Sequence, residues 1–241
     1  MWPVANEETF NRRQKVIRDL EWGEIEKILA ELPRGRFLDV GCGTGYALGK
    51  AKALGFDVTG LEPSSNKWGV HDQSNTHGEI VEGVAETIPF GDATFDLVYS
   101  SHALEHFADR HRGLTEIQRV LRSGGTAILV MPTGTLALLS SVFQLLFTTH
   151  IKVGRFVLRT RSFEGFRDIF FPAAHGAYKW TTWQEVTDFS VSNWRTLVGQ
   201  HFKIHRVLRP YLFPWPDFPQ LFPIVRSRRF SCSVILVCRK H

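Results

Sequence analysis

The 241-residue sequence is poor in cysteine and has no long hydrophobic run. Its three cysteines, Cys42, Cys232 and Cys238, show no paired metal-ligand spacing and are too few for a disulfide framework, which favours a reducing cytosol. No apolar run reaches the roughly 18 residues that indicate a membrane span. The opening segment MWPVANEETFNRRQK lacks the basic-then-apolar pattern of a signal peptide. We therefore expect a cytoplasmic protein.

Acidic charge is scarce in the second part of the chain. Residues 1–149 contain 14 Lys/Arg and 19 Asp/Glu, whereas residues 150–241 contain 15 Lys/Arg and only 5 Asp/Glu. Such a basic region is typical of a solvated surface or of contact with an anionic partner. No nucleic-acid recognition motif accompanies the charge, so a nucleic-acid partner is not expected.

Short apolar strands alternate with helical segments. Residues 7–31 predict a helix, and the predicted strands that follow are 36–40, 57–61, 79–84, 95–100 and 126–131. This alternation predicts an α/β fold with a mostly parallel sheet and helices on both faces. A helix over 182–199 and strands at 202–208 and 231–238, joined by a loop at 210–230, predict an antiparallel ending.

A glycine-rich turn follows the first predicted strand. In LDVGCGTGYALGK, glycines at 41, 43 and 45 let the backbone turn tightly into a helix and let a ligand approach the main chain. The dinucleotide fingerprint fails because Tyr46 occupies the place of its third glycine, and no G-K-[ST] follows. A structural turn without a ligand remains an alternative when the turn is considered alone.

A carboxylate after the second strand gives the turn a partner. Glu62, about twenty residues beyond the loop, can accept hydrogen bonds from both hydroxyls of a ribose. Ala85 and Glu86, just past the third strand, can meet an adenine amino group. With no phosphate-binding lysine, the implied ligand is a nucleoside without phosphates.

The ordered motifs FLDVGCGTG, GLEPS, AETIPF, FDLVYSSHALEHF and RVLRSGGTAILVMPT resemble those of class I S-adenosylmethionine-dependent methyltransferases. The likeness is to the branch of small-molecule and ubiquinone-biosynthesis enzymes, and it covers about residues 36–132. It implies a Rossmann-like, seven-stranded sheet with an antiparallel last strand, a helical insertion after strand 5 and S-adenosyl-L-methionine as the cofactor. It is almost silent on the substrate.

The resemblance also implies a set of cofactor-binding residues. The end of the first strand and the glycine loop are expected to surround the methionine half of the cofactor, with a serine beneath that half. Glu62 is expected to hold the ribose. Ala85 and Glu86 are expected to lie at the edge of the adenine. The full set is Asp39, Gly41, Cys42, Gly43, Gly45, Glu62, Pro63, Ala85, Glu86 and Ser100.

The segment SHALEHF, 101–107, allows two interpretations. His102, Glu105 and His106 have the H-x-x-E-H spacing of a class of zinc proteases. That chemistry requires a helix spanning both histidines and a further ligand, whereas this segment follows a strand. Some quinone-pathway relatives hold a divalent ion in this loop, but His102 replaces an acid here. We therefore expect no zinc and assign no metal ligands, and whether a divalent ion assists stays open.

Candidate catalytic residues follow from the chemistry of methyl transfer. Positioning supplies much of the acceleration, and a base is needed only if the acceptor is protonated at neutral pH. The candidates are His106, which has an alternative role in bracing the loop, and His175 with Tyr178 before the late helix.

Two segments combine apolar surface with arginine. Residues 135–149 are apolar except for a polar stripe at Ser141, Gln144 and Thr148, and four basic residues follow. This segment predicts a membrane-surface helix, a lid over a greasy pocket or a buried helix. The loop 210–230 repeats the combination. The sequence therefore also allows a cytoplasmic protein that binds peripherally to the inner face of the membrane.

We predict one domain with a helical cap (1–35), a cofactor-binding core (36–132), an insertion or lid (133–175) and a C-terminal substrate-side part (176–241). The predicted function is methylation of a small, hydrophobic, lipid-like or anionic acceptor, with oxygen as the preferred atom. Two alternatives stay open, a sugar or lipid-linked glycan methyltransferase and a catalytically inactive cofactor-binding partner subunit. The oligomeric state is not predicted.

Overall fold

The computed structural model describes residues 7–63, 78–139, 141–142, 182–213 and 224–240. Its helices are α1 (Glu7–Ala30), α2 (Tyr46–Ala53), α3 (Arg110–Val120), α4 (134–139, with 141–142 also helical), α5 (Thr182–Asp188) and α6 (Val191–Gly199). The strands are β1 (Arg36–Val40), β2 (Asp57–Glu62), β3 (Glu79–Glu82), β4 (Phe95–Ser101), β5 (Leu121–Pro132), β6 (Lys203–Leu208), β7 (Tyr211–Leu212), β8 (Val225–Arg226) and β9 (Ser233–Arg239).

Seven of these strands form one sheet in the order β3-β2-β1-β4-β5-β9-β6. Strands β1 to β5 pair in parallel, and β9 pairs antiparallel with both β5 and β6. The predicted α/β class, Rossmann-like sheet and antiparallel last strand are therefore confirmed. The strand order reverses between β1 and β4, and ligands of open α/β sheets bind outside the carboxyl ends of the strands at such a point.

The central strands are buried on both faces, which explains why they consist of continuous apolar runs. On β1, Phe37 packs with one core cluster and Leu38 with the other, because successive side chains point to opposite faces. Helix α1 covers the first face with Trp22 and Ile25, whereas α3 covers the second with a stripe including Leu114. This arrangement fixes α1 on the same side of the sheet as the glycine-loop helix α2.

The late helical region differs from the prediction of one helix over 182–199. Two helices, α5 and α6, are separated at Phe189 and Ser190. Ser190 has extended backbone, and its Oγ accepts a hydrogen bond from the Asn193 amide at 3.2 Å, so it caps a new helix. Apolar residues continue with helical spacing through this point, which concealed the break.

The predicted loop at 210–230 also contains a short ladder. Tyr211 and Leu212 of β7 pair with Arg226 and Val225 of β8. Among the described helices, none is both long and apolar enough to cross a membrane.

Candidate active site

The glycine loop leaves β1 at the point where the strand order reverses. Gly41, Gly43 and Gly45 have φ values of 78°, 54° and 77°, a left-handed backbone that favours glycine. A Cβ on Gly41 would lie 2.5 Å from the Cβ of Ala103, which follows β4. The loop is therefore a tight turn pressed against the segment after β4, and a larger residue at 41 would push the two apart.

The amides of the loop are turned into the protein. Gly41 and Cys42 donate to the carbonyl of Leu61 at 2.8 and 3.2 Å, and Gly45 donates to Cys42 at 2.9 Å. The Gly43 amide donates to Glu62 Oε2 at 2.8 Å. A phosphate-binding loop points its amides at the ligand. In this loop, four amides instead donate hydrogen bonds to groups of the protein itself, which fits a nucleoside cofactor without phosphates.

Two buried acids lie beneath the loop. Glu62, at the end of β2, is 5% exposed, and Asp39, in β1, is 3% exposed. Burial, together with the nearby Glu62 carboxylate, raises the pKa of Asp39 to about 8. An arriving cation lowers the cost of ionising such a carboxyl, so the site is suited to a positively charged ligand.

Ser100 joins β4 to the end of β1. It is buried, and its hydroxyl donates to the carbonyl of Val40 at 2.9 Å. Cys42 is also buried, and this burial raises the pKa of its thiol well above the ordinary range. Cys42 is thus a packing residue of the loop rather than a nucleophile. Pro63 is half-buried directly after Glu62.

The two residues predicted to contact the adenine already make contacts within the protein. Ala85 is buried at 6% exposure. Glu86 Oε1 accepts from the Asp109 amide at 3.1 Å, and its carbonyl accepts from Arg112 Nε at 2.9 Å. The Glu86 side chain therefore braces the start of α3 as well as flanking the third strand's exit, and its contact with adenine stays a prediction.

The segment 101–107 is not the helix that a zinc protease needs. His102 has a left-handed backbone with φ 51°, and only Leu104–His106 form a 3-10 turn. His106 is exposed, whereas the side chain of His102 turns toward α1. Within the described ranges, no group of three or more His, Cys, Asp or Glu side chains is arranged to hold a metal ion.

Sequence reasoning missed the partners of His102. Its Nε2 lies 3.1 Å from both carboxylate oxygens of Glu21, and its Nδ1 lies 3.7 Å from Glu105 Oε1. Burial alone would lower the pKa of His102, but the charges and hydrogen bonds of the two carboxylates outweigh it and raise the pKa to about 10. His102 is therefore an imidazolium at neutral pH and cannot serve there as a base.

The other catalytic candidates have different outcomes. His106 lies in segment 101–107, after β4, with an exposed side chain, and its amide donates to the carbonyl of Ala103 at 2.8 Å. His175 and Tyr178 lie outside the described residues, so their roles stay predictions.

Comparison with known proteins agrees with this geometry. A family model described as a methyltransferase domain matches residues 38–129, the segment from β1 to β5 that builds the loop and both acids. This segment of the chain is therefore similar to a methyltransferase domain, as the ordered motifs predicted. S-adenosyl-L-methionine is the cofactor that this similarity implies, and the turned-in amides and buried acids of the site suit it.

Relatives of the methyltransferase domain come from distant organisms. A demethylmenaquinone methyltransferase of Thermotoga maritima is 28% identical over 147 residues, which are 59% of this chain and 64% of that protein. An O-methyltransferase of Aspergillus nomiae is 39% identical over 108 residues, 42% of this chain and 48% of that protein. The chain thus spans about half to under two thirds of the length of these curated relatives.

A solved structure extends the likeness to the whole methyltransferase fold. The crystal structure of an S-adenosylmethionine-dependent methyltransferase of Thermotoga maritima has a TM-score of 0.58 and 22% identity, covering 97% of this chain and 96% of that one. At this identity the likeness concerns the fold alone.

Proposed function

We propose that this chain transfers the methyl group of S-adenosylmethionine to a small, hydrophobic acceptor, at an oxygen atom. Bound at the loop, the cofactor supplies an electrophilic methyl group on a sulfonium centre. The chain's own task is to hold that centre and the acceptor oxygen in line, which is the main source of acceleration in such a displacement.

The observation that carries the cofactor half of the proposal is the Glu62 contact. A buried carboxylate already accepts the Gly43 amide at 2.8 Å and sits at the carboxyl end of β2, beside the reversal of strand order. A carboxylate oxygen accepts more than one hydrogen bond, so Glu62 can hold the glycine loop and both hydroxyls of a ribose together.

The apolar character of the acceptor is supported by α4 and the helical residues after it. Leu138 and Val142 are 42% and 37% exposed. Ser141 is fully buried, and its hydroxyl donates to the carbonyl of Ala137 at 2.8 Å. This segment therefore turns its polar side chain inward and apolar side chains outward, an arrangement that favours contact with a hydrophobic molecule.

The late ladder adds positive charge to exposed apolar surface. Val225 and Phe230 are 42% and 54% exposed, and the Arg229 guanidinium lies 5.4 Å from the centre of the Phe230 ring. Arg228 is exposed beside them. Aromatic and arginine side chains together suit an acceptor with an anionic group, or an anionic membrane surface that delivers it.

Oxygen as the methylated atom is supported by two relatives. One is the O-methyltransferase of Aspergillus nomiae, and malonyl-[acyl-carrier protein] O-methyltransferase of Pectobacterium atrosepticum is 31% identical over 123 residues. His106, exposed in segment 101–107, is the candidate to accept the proton of a hydroxyl acceptor.

The test is methyl transfer from isotope-labelled S-adenosylmethionine to a graded panel of acceptors. The panel contains phenols, quinols and carboxylic acids with alkyl chains of increasing length, and matched sugars. We expect turnover of a hydroxyl or carboxyl acceptor with a KM that falls as the chain lengthens, because each buried CH₂ contributes about 0.8 kcal/mol. Product mass and NMR identify the methylated atom.

Different results on this panel separate the alternatives. Methylation of sugars alone would support the glycan alternative and contradict a hydrophobic acceptor. Cofactor binding by calorimetry without turnover of any acceptor, in wild-type protein, would support a binding subunit. In both cases the cofactor assignment is judged independently by Glu62→Ala, whose matched control is Glu82→Ala at an exposed position of β3.

A further inference from the structure

One turn of α1 lies across the carboxyl ends of β1 and β4. The Tyr46 hydroxyl, directly after the glycine loop, donates to the Asp19 carboxylate. The Trp22 ring packs edge-on against Tyr99 of β4, with ring centroids 6.0 Å apart. Between these two contacts stands Glu21, which meets His102. Helix α1 therefore covers the edge of the sheet at which the cofactor binds.

The Glu21–His102–Glu105 cluster places a partly exposed histidine between two buried carboxyl groups. Glu21 is 1% and Glu105 3% exposed, and both oxygens of Glu21 lie 3.1 Å from His102 Nε2. Glu105 Oε2 is buried without a hydrogen-bond partner, and its other oxygen lies 3.7 Å from His102 Nδ1. Carboxylates at this depth are costly unless a cation accompanies them. Separating His102 from Glu21 would therefore leave a carboxylate buried without its cation, which is unfavourable.

The main chain around His102 joins three parts of the crevice. The His102 amide donates to the carbonyl of Val130 in β5 at 2.9 Å. The next residue, Ala103, leaves no room for a side chain on Gly41. The backbone of His102 itself is left-handed, which is uncommon for a residue other than glycine and is found where a surrounding structure enforces it. A shift of His102 would thus disturb contacts with β5, the glycine loop and α1 at the same time.

We propose that His102 is a positioning residue that fastens α1 over the cofactor crevice through Glu21 and Glu105. In this arrangement the cofactor, and the demethylated cofactor after transfer, leave the site only when the Glu21–His102 pair separates. The proposal rests on the proposed use of S-adenosylmethionine and adds a control on its exchange. No acceptor is needed to test it.

The experiment compares His102→Gln, Glu21→Gln and the double variant with wild-type protein. Stopped-flow fluorescence measures the dissociation rate of S-adenosylhomocysteine, and amide hydrogen exchange measures opening of α1. We expect each single variant to release the probe about tenfold faster and to exchange the α1 amides faster, since a charge-assisted contact is lost. The double variant should resemble the singles, because both changes break one interaction.

An ion pair just beyond the far end of the same helix provides a matched control. Arg206 of β6 pairs with Glu31, directly beyond the end of α1, at 2.6 Å, and both side chains are about half exposed. Arg206→Gln removes an ion pair that holds α1 but touches neither the glycine loop nor segment 101–107. An exposed pair contributes little, so the dissociation rate should stay within about twofold of wild type.

Three results would overturn the proposal: unchanged probe release in both single variants, an equal acceleration in Arg206→Gln, or effects that multiply in the double variant. If His102→Gln does not fold, Glu21→Gln, which keeps the imidazole, decides. If wild-type protein binds neither S-adenosylhomocysteine nor S-adenosylmethionine, the cofactor assignment fails, and hydrogen exchange of α1 still decides whether the pair fastens the helix.

Discussion

Two regions of the molecule are built in opposite ways: the cofactor side, at the carboxyl ends of β1 and β2, and α4, which we propose as the acceptor side. On the cofactor side, Asp39, Glu62 and Ser100 are buried, and the amides of the glycine loop are satisfied within the protein. On the side of α4, Leu138 and Val142 stand exposed while Ser141 is buried. The first region is a buried polar frame that suits a ligand of fixed shape, whereas the second offers exposed apolar surface. This difference explains why motifs identify the cofactor but not the acceptor.

The largest effect is expected at Gly41. Gly41→Ala adds a Cβ that meets Ala103 at 2.5 Å and forces alanine into a backbone with φ 78°. Left-handed backbone costs about 1–2 kcal/mol and overpacking about 1–3 kcal/mol, so the free energy of unfolding should fall by about 2–5 kcal/mol. Denaturant unfolding measures it.

The control for Gly41 is Gly124→Ala. Gly124 has a similar φ of 71°, but a Cβ there would meet nothing within 4 Å. In Gly124→Ala the free energy of unfolding should fall only by the cost of the left-handed backbone, about 1–2 kcal/mol. Equal losses at the two positions would mean that the contact with Ala103 contributes nothing to the rigidity of the cofactor side.

The next effect concerns Glu62. Glu62→Ala should weaken S-adenosylmethionine binding about ten- to a hundredfold, because charge-assisted hydrogen bonds of about 1.5–3 kcal/mol are lost. Titration calorimetry measures the affinity, and Glu82→Ala, exposed on the neighbouring strand, should leave it unchanged. Unaltered affinity in Glu62→Ala would remove the ribose from the proposed role of this residue.

Asp39 gives the cofactor side a characteristic pH dependence. Its pKa is raised from an ordinary 3.8 to about 8, so between these values the folded protein keeps a proton that the unfolded chain loses. The free energy of unfolding of ligand-free protein should therefore fall as pH rises from about 4 to 8. Asp39→Asn should flatten this slope in urea titrations. An identical slope in the variant would show that Asp39 is ionised in the folded protein.

His102 should contribute over a different pH window. Its pKa is raised from 6.5 to about 10, so its contribution to stability is complete below pH 6.5 and is lost as pH rises toward 10. His102→Gln should lower stability below pH 6 without changing its slope there, and should flatten the alkaline part of the stability curve. The same urea titrations, extended to pH 10, check this expectation. A variant as sensitive to alkali as wild type would contradict an imidazolium at this position.

The smallest effect is expected on the acceptor side. Replacing Leu138 and Val142 together with Ser should change the free energy of unfolding by less than about 0.5 kcal/mol per site, because both are exposed. Cofactor affinity should not change, whereas binding to anionic vesicles or turnover of a long-chain acceptor should fall. Val207→Ser, at an exposed apolar position of β6, is the control. Unfolding of the double variant would show that these side chains belong to the core.

Local sequence carried the information for the cofactor side. The strand before the loop, the glycines and Glu62 lie within a short stretch whose spacing reflects two adjacent strands, so the motif could predict that the loop and Glu62 come together. The Glu21–His102 pair spans 81 residues and depends on how α1 crosses the sheet, which no local pattern specifies. The break before α6 did leave a signal, since Ser190 is a favoured helix-capping residue, but the apolar spacing on both sides of it concealed it.

The place of β9 in the sheet has a consequence for the order in which the protein folds. This strand is the last described element, yet it inserts between β5 and β6 and pairs over Thr126–Pro132 on one side and Lys203–Leu208 on the other. During synthesis from the N-terminus, β5 has an unpaired edge until residues 233–239 emerge. Such long-range pairing slows folding and leaves a template for intermolecular association meanwhile. A nascent chain halted before Ser233 should therefore need protection by a chaperone, although all the cofactor-binding residues of its first half have already been made.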